Sequence, residues 1–537
     1  MAKQKTVSLL RSGNRLVVDP TTPRVHDILA PHLRYVEKKF VHGAELILRK
    51  RLHRPVFDEI EWECFGEDHK GRIATSFGFE GRIRRLLEAR GYKIETRWAS
   101  AVEAAAQAAR AEKVYKPRWD RIEEMILESR TDPDDPNSGF EFRYKQRKCL
   151  RLMAEHENGR IDCPPGWGKG TLIMLAAMMF PKAKIAVVTK NIPVLKQRLY
   201  PELASNLPSV GMVGGGVKIK NRRVMCYSAD SLHHAKGDED FVFVDEGHQA
   251  CSDNFASKMG VFEHARIWMF SASWDMRLDN KDMRAEAMAG PIRLKVTYKQ
   301  AEKHDMVVPI EVIWTDVIMD ENPCSEMVGS RKKQYGIWTN EYRNKLIARD
   351  ANLYDDDTQV LITVETLEHA LNLKKLLPNY EIVYSGQGLK DSDIAWFRKN
   401  YPDEFRLMTD ERKQKLTSRF EKGKLKKAIA TTVWNVGVNF RNLEVLIRGD
   451  AGGSPINDIQ IPGRNSRTNL KVVKKEGGSK EKLVGILHDY RDLFDTGFRY
   501  KSVSREKSYT RNEWRQHYPK EDKKSRLRKM MNFGGIE

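Results

Sequence analysis

The chain has 537 residues, of which 40% are hydrophobic. That is enough for roughly three or four domains, each with a core of its own. Lys and Arg number 94 against 74 Asp and Glu, a net charge of +20, which points to a polyanionic partner: nucleic acid, or less often an anionic membrane surface. The longest apolar run, residues 172–180, is about half a bilayer span, the first residues lack a secretory signal's apolar core, and the six cysteines are scattered without zinc or redox spacing, as free thiols of a reducing cytoplasm would be.

Residues 1–98 read as a small α+β domain. Runs at residues 15–18 and 44–48 are β-rich, and a helix is expected over 79–90, with Phe79, Ile83, Leu86 and Leu87 on one face. Gly91 suits a left-handed cap at its end. The other face carries Arg82, Arg84, Arg85 and Arg90. It is either a solvated polar face or a phosphate-contacting one, and Arg82 and Arg85 are the candidates for contact. Residues 99–130, rich in Ala, Glu and Arg, suit a connecting helix. The following TDPDDPNS reads as a linker or exposed loop, so that 99–139 connects two parts of the chain.

From Phe140 short apolar strands alternate with helices. KIAVVT (184–189) and FVFV (241–244) have the character of buried parallel strands, and residues 360–363 and 445–448 repeat it. Two α/β domains fit, over 140–300 and 301–500, with a boundary near 298–310. Residues 501–537, rich in Lys and Arg, read as a basic tail, helical or partly disordered.

Three elements carry the chemistry. The first is CPPGWGKGT (163–171), between a short strand and an apolar helix, the setting a phosphate loop requires. Gly166 and Gly168 let backbone N–H groups wrap phosphates, the helix N-terminus favours anions, and Lys169 reaches the β- and γ-phosphates. Pro165, Trp167 and Gly170 complete the loop. A strict loop has Ser or Thr directly after its Lys; here Gly170 stands there and the hydroxyl comes at Thr171. The second element is Asp245-Glu246-Gly247-His248 at the end of FVFV, where α/β sheets bind ligands. Asp245 is placed to hold Mg²⁺, with Thr171 as a second candidate, and Glu246 to orient or deprotonate the attacking water. The third is QIPGRNSR (460–467), where Arg464 and Arg467 stand at i and i+3 and would face one side of a helical turn, suited to a γ-phosphate.

In this order these elements resemble superfamily 2 helicases and translocases. FEFRYKQ (140–146) is similar to the family's adenine-reading segment, with Arg143 and Gln146 at the matching positions. VVTKNIPVLKQ (187–197) and CYSADSL (226–232) resemble two nucleic-acid-contacting motifs. DEGH stands for DEAH or DEAD, and Ser271-Ala-Ser273 for Ser-Ala-Thr. ATTVWNVGVN (430–439), with Gly437, resembles motif V, and QIPGRNSR, with Gln460, motif VI. Within the superfamily the likeness is to UvsW-type phage recombination helicases, relatives of the XPB and RecG groups, and it extends to the N-terminal FGFEGRIRRLLEARGY (77–92). Three departures stand out: Gly170 for Thr or Ser, Pro165 for Thr, and Gly247 for Ala, the last a small change with little expected effect.

The resemblance implies two tandem RecA-like parallel-sheet domains behind the small N-terminal domain. It implies ATP and Mg²⁺ as cofactors, bound between those domains, with Lys169, Asp245 and Glu246 from one and Arg464 and Arg467 from the other. DNA is the implied partner, duplex, branched or single-stranded, with recombination or replication proteins beside it and no membrane. Lys190, Ser228 and Thr432 are the backbone-contact candidates by motif position. The cytoplasm, that of a bacterial host if the chain is phage-encoded, is the expected compartment. Branch migration and fork or D-loop remodelling in recombination, repair and replication are the expected activities. An RNA-remodelling ATPase, a DNA-binding protein with a decayed phosphate loop, and the motor of a restriction complex are the alternatives.

Overall fold

A computed structural model describes residues 5–41, 45, 48–49, 51–52, 54–131, 140–272, 274, 281–434, 440–466 and 484–519, without the side chains of 129–131, 455, 456, 459 and 464. The chain divides into two compact units, Met1–Thr297 and Tyr298–Glu537. Among the described residues the strands form four sheets.

The first unit opens with a five-stranded sheet in the order β5-β6-β2-β1-β7. Its strands are β1 (Thr6–Ser12), β2 (Arg15–Asp19), β5 (Phe65–Glu67), β6 (Ile73–Ser76) and β7 (Lys93–Trp98). A separate antiparallel ribbon pairs β3 (Arg34–Phe40) with β4 (Phe57–Glu63). Alternation of apolar and polar residues along β1 and β2 sends Val7, Leu9, Leu16 and Val18 into one core. The helix Glu80–Glu88 closes it with Ile83 and Leu87, after a short 3-10 turn, Phe77–Phe79. Gly91 takes φ +81°, ending the helix as expected. The β-rich reading of 44–48 is corrected at its described positions: Glu45 and Leu48 are helical, and Glu45 pairs one turn on with Arg49 at 2.5 Å.

This small sheet is packed firmly against the larger remainder of the first unit. A Cβ on Gly78 would lie 2.0 Å from the carbonyl oxygen of Glu286, so only glycine fits there. Arg11 pairs with Glu157 at 2.5 Å, and Asn14 donates to the carbonyl of Phe262 at 3.1 Å. The single connecting helix expected over 99–130 is two, Ala101–Lys113 and Trp119–Thr131, because Pro117 disfavours helix at the residue before it and supplies no donor. Tyr115, in the break, packs edge-on against Phe241 at 5.4 Å. The expected loop over 131–138 lies outside the described residues apart from Thr131, which ends the second helix.

The main sheet of the first unit runs β11-β10-β12-β9-β13-β14-β8-β15. In chain order these are β8 (Gly159–Asp162), β9 (Ile185–Thr189), β10 (Val210–Gly214), β11 (Val217–Ile219), β12 (Val224–Ser228), β13 (Phe241–Asp245), β14 (Arg266–Ser271) and β15 (Ile292–Lys295). All pairings are parallel except β10 with β11. β9, β12 and β13 are buried along their whole length, which accounts for their unbroken apolar character.

The second unit has a seven-stranded sheet, β18-β19-β17-β20-β21-β16-β22, parallel throughout. Its strands are β16 (Ile310–Val317), β17 (Val360–Thr363), β18 (Glu381–Val383), β19 (Lys427–Ala430), β20 (Val445–Arg448), β21 (Gly485–Asp492) and β22 (Arg515–His517). The two units are thus tandem α/β domains of the RecA-like kind. The tail reading of 501–537 is corrected over its described part. The helix Thr496–Arg511 buries Phe498, Ser502, Arg505 and Tyr509, and β22 pairs with β16 as an edge of the sheet. Composition misleads here because Arg505 is an interior residue, held by Asp489 at 2.9 Å.

Candidate functional site

A parallel sheet brings the C-terminal ends of its strands to one edge. In the first unit β9, β13, β14 and β8 are consecutive neighbours, so the segments leaving their C-terminal ends are gathered together. The phosphate loop comes directly after β8, Asp245 ends β13, and Ser271 ends β14. Gly166 (φ +86°) and Gly168 (φ +95°) give the loop its left-handed turns, and the helix Lys169–Met179 starts directly after them.

Lys169 is buried, and its Nζ lies 2.7 Å from Glu246 Oε1 and 3.5 Å from Asp245 Oδ1. Burial works against its charge, but Glu246 and Asp245 outweigh that and raise its pKa. Burial likewise pushes the Glu246 carboxyl up, and Lys169, His248 and Arg198 bring it below the ordinary range. Lysine and glutamate therefore both stay charged. Glu246 sits at φ +52°, an uncommon conformation for a residue with a side chain and one that clusters at working sites. Asp245 Oδ1 is buried and accepts no hydrogen bond. A carboxylate oxygen left so is costly in a finished interior; it suits a cation ligand, and the Mg²⁺ that accompanies a nucleotide fits there.

The segment expected to read adenine is laced to the loop. Gln146 Nε2 donates to the carbonyl of Trp167 at 3.0 Å, its Oε1 accepts from the Arg143 N–H at 3.0 Å, and the Arg143 guanidinium donates to the carbonyl of Gly166. A Cβ on Gly168 would lie 2.7 Å from Gln146 Nε2. Pro165 and Gly166 remain partly exposed on the loop. Trp167, placed in the loop by the sequence, is fully buried, and its indole N–H donates to the carbonyl of Tyr144 at 2.9 Å. It anchors the loop from beneath.

Several expected contacts are placed differently. The Thr171 hydroxyl, a candidate metal ligand, donates to Glu202 Oε1 at 3.3 Å. Arg82, a candidate phosphate contact, grips Glu286 with two nitrogens, at 2.9 and 2.7 Å, because Gly78 brings the two backbones together there. Ser228 is buried, its hydroxyl donating to Ser231 at 2.8 Å. Lys190, Arg85 and Thr432 are exposed. In the second unit Gln460 ends the helix Pro455–Gln460 and Arg464 the 3-10 turn Pro462–Arg464. Gly437 and Arg467 lie outside the described residues.

Sequence reasoning missed the way DEGH is braced. His248 Nδ1 and Ser271 Oγ are 2.9 Å apart, and His248 lies 3.5 Å from Glu246 Oε2. The signal was present in the pairing of DEGH with Ser271-Ala-Ser273. Gly247 is not a neutral replacement: a Cβ there would lie 2.6 Å from the ring of Trp274 and 2.8 Å from Met269 Cβ, and that ring is fixed by its N–H to the carbonyl of Ile161 at 2.9 Å.

Residues 344–469, within the second unit, match the family model of the helicase conserved C-terminal domain. The second unit therefore carries a helicase conserved C-terminal domain. None of the curated proteins compared with the chain matches it by sequence. Among solved structures it is similar to T4 UvsW, at 15% identity over 96% of this chain and 99% of that one, with a TM-score of 0.41. It is similar to Dbp5 of S. cerevisiae, solved bound to RNA and ADP BeF3, at 13% identity over 73% and 93%, TM-score 0.47. A third is a fragment of an HsdR subunit of a type I restriction enzyme from Vibrio vulnificus YJ016, at 15% identity over 66% and 65%, TM-score 0.45.

Proposed function

We propose that the chain is an ATP-driven superfamily 2 motor that works on DNA, as a translocase or helicase for duplex or branched substrates in recombination, repair or replication. The observation that carries the reading is the set of buried Lys169 and Asp245 with half-buried Glu246, in which one Asp245 carboxylate oxygen accepts no hydrogen bond, ahead of a helicase C-terminal domain. Lys169 neutralises the terminal phosphates, and Glu246 orients and deprotonates the attacking water. Asp245 would hold Mg²⁺, which would supply charge neutralisation at the phosphate oxygens. Arg143 and Gln146 read the base.

In this proposal Gln460, Arg464 and Arg467 complete the site on closure of the second unit, which makes hydrolysis conditional on domain movement. Gly437 belongs to the same face by motif position. Lys190 and Thr432, one on each unit, alternate in gripping the phosphate backbone, and Arg85 on the small N-terminal domain, residues 1–98, adds duplex or branch affinity. Binding through phosphates is independent of sequence and weakens with salt.

ATPase rates with duplex, single-stranded and four-way-junction DNA and with RNA test the reading. Stimulation by DNA, greatest with junctions and accompanied by strand displacement or branch migration, is expected. Stimulation by RNA alone would move the motor to RNA remodelling. ATP hydrolysis with no displacement or migration of any branched strand would remove the remodelling activity.

A further inference from the structure

The first turn of the helix Lys169–Met179 lacks the hydroxyl that a strict phosphate loop places after its lysine, and the space is not empty. Gly170 is buried, and a Cβ built on it would lie 2.6 Å from Oε2 and 3.1 Å from Oε1 of Glu202. The carboxylate of Glu202, on the helix Tyr200–Ala204, thus occupies the volume where a Ser or Thr side chain would begin. Thr171 donates to it at 3.3 Å. The second observation is independent: Asp245, 3% exposed, presents a buried oxygen that accepts no hydrogen bond, with the Lys169 ammonium 3.5 Å away.

We propose that Glu202 replaces the missing hydroxyl, its carboxylate acting with Asp245 as a ligand, direct or through water, for the Mg²⁺ that accompanies the nucleotide. Thr171 is then a positioning residue that holds Glu202. Mg²⁺ takes hard oxygen ligands and is commonly held by one or two carboxylates together with substrate phosphates. Exchanging a neutral hydroxyl for an anion has a consequence of definite sign. Without metal, Glu202 repels the phosphates; with metal, it attracts them through the cation. Nucleotide binding should therefore depend on divalent metal more steeply than a hydroxyl would make it. The inference rests on the ATP site proposed above.

The test is ADP affinity of the full chain, by calorimetry, in EDTA and in Mn²⁺, with Mn²⁺ binding followed by electron paramagnetic resonance. For Glu202→Gln, which can keep the bond from Thr171, Mn²⁺-supported ADP binding should weaken by about 10–100-fold. Metal-free ADP binding should be equal or tighter, a sign that a merely structural role would not produce. Gly170→Ser combined with Glu202→Ala, which clears the space that a Ser side chain needs, should restore part of the Mn²⁺ dependence. Unchanged metal dependence in Glu202→Gln, or equal losses with and without metal, would overturn the inference and leave the ATPase reading standing. Absence of any ADP binding by the unaltered chain would overturn both.

Discussion

In the second unit three buried arginines have all their guanidinium nitrogens bonded. Arg343 holds Asp492 at 2.7 Å and the carbonyl of Gly449 at 2.7 Å. Arg448 lies between Asp450 and Asp458, at 3.0 and 2.9 Å, and Arg505 spans Asp489 and the carbonyls of Gly452 and Tyr490. Lys169 in the first unit is also deeply buried, yet Asp245 Oδ1 beside it, at 3.5 Å, accepts no hydrogen bond. A buried ion cluster that closes on itself belongs to folding, and its loss should appear in stability. One that stays open is arranged for a charge from elsewhere, and its loss should appear in chemistry.

Glu246→Gln tests the open cluster. Steady-state hydrolysis with saturating nucleic acid should fall by on the order of a thousandfold, equivalent to about 4 kcal/mol of barrier, with nucleotide still bound and the melting temperature nearly unchanged. A fall smaller than tenfold would remove Glu246 from the chemistry. Arg343→Leu tests the closed one. It leaves Asp492 buried and uncompensated, so urea denaturation should show a loss of about 3–5 kcal/mol in the second unit. Adding Asp492→Leu should recover part of that loss. If the single variant melted like the parent, the pair would be no part of the second unit's stability.

The same contrast decides what was legible beforehand. The parallel strands were readable because β9 and β13 are buried on both faces and show unbroken apolar runs. The loop and DEGH were readable because a phosphate needs glycines, a lysine and a helix start in fixed succession. The interior arginines were not, since Arg505 in sequence looks like any surface cation; only the fold reveals that Asp489 faces it. Arg82 failed for the related reason that its partner, Glu286, is remote in sequence and reached through the close approach at Gly78. Gly170 and Gly247 were visible as departures, but what fills their space, Glu202 and Trp274, is a three-dimensional fact.

Gly247→Ala sharpens this point because family comparison rates it as harmless. The methyl group would enter the space of a Trp274 ring already fixed by its bond to Ile161. Overpacking of this kind costs typically about 1–3 kcal/mol. We expect a lowered melting temperature and, because Glu246 is the preceding residue, a slower hydrolysis. Trp274→Phe, which removes part of the obstructing ring, should relieve the effect of Gly247→Ala. Equal stability of Gly247→Ala and the parent would show that the ring yields.

The smallest effect is read by pH. His369 is fully buried in the second unit, its Nε2 3.0 Å from Asn344 Oδ1. Burial, helped by Arg343 and opposed by Asp450, lowers its pKa from 6.5 to about 3. The unfolded chain therefore binds this proton first. The stability His369 allows is complete above pH 6.5 and declines as pH falls, by about 1.4 kcal/mol per pH unit down to pH 3. Glu246, depressed below its ordinary value of 4.5, has the same sign, but its loss begins only below that value. Buried His488 and, in the first unit, His156, both also lowered from 6.5 chiefly by burial, act in the His369 window, so the parent must be compared with His369→Gln. Between pH 6.5 and 5 the parent's unfolding free energy should fall more steeply than the variant's, by about one proton's worth of slope. Parallel curves would mean that His369 takes up its proton without leaving the interior.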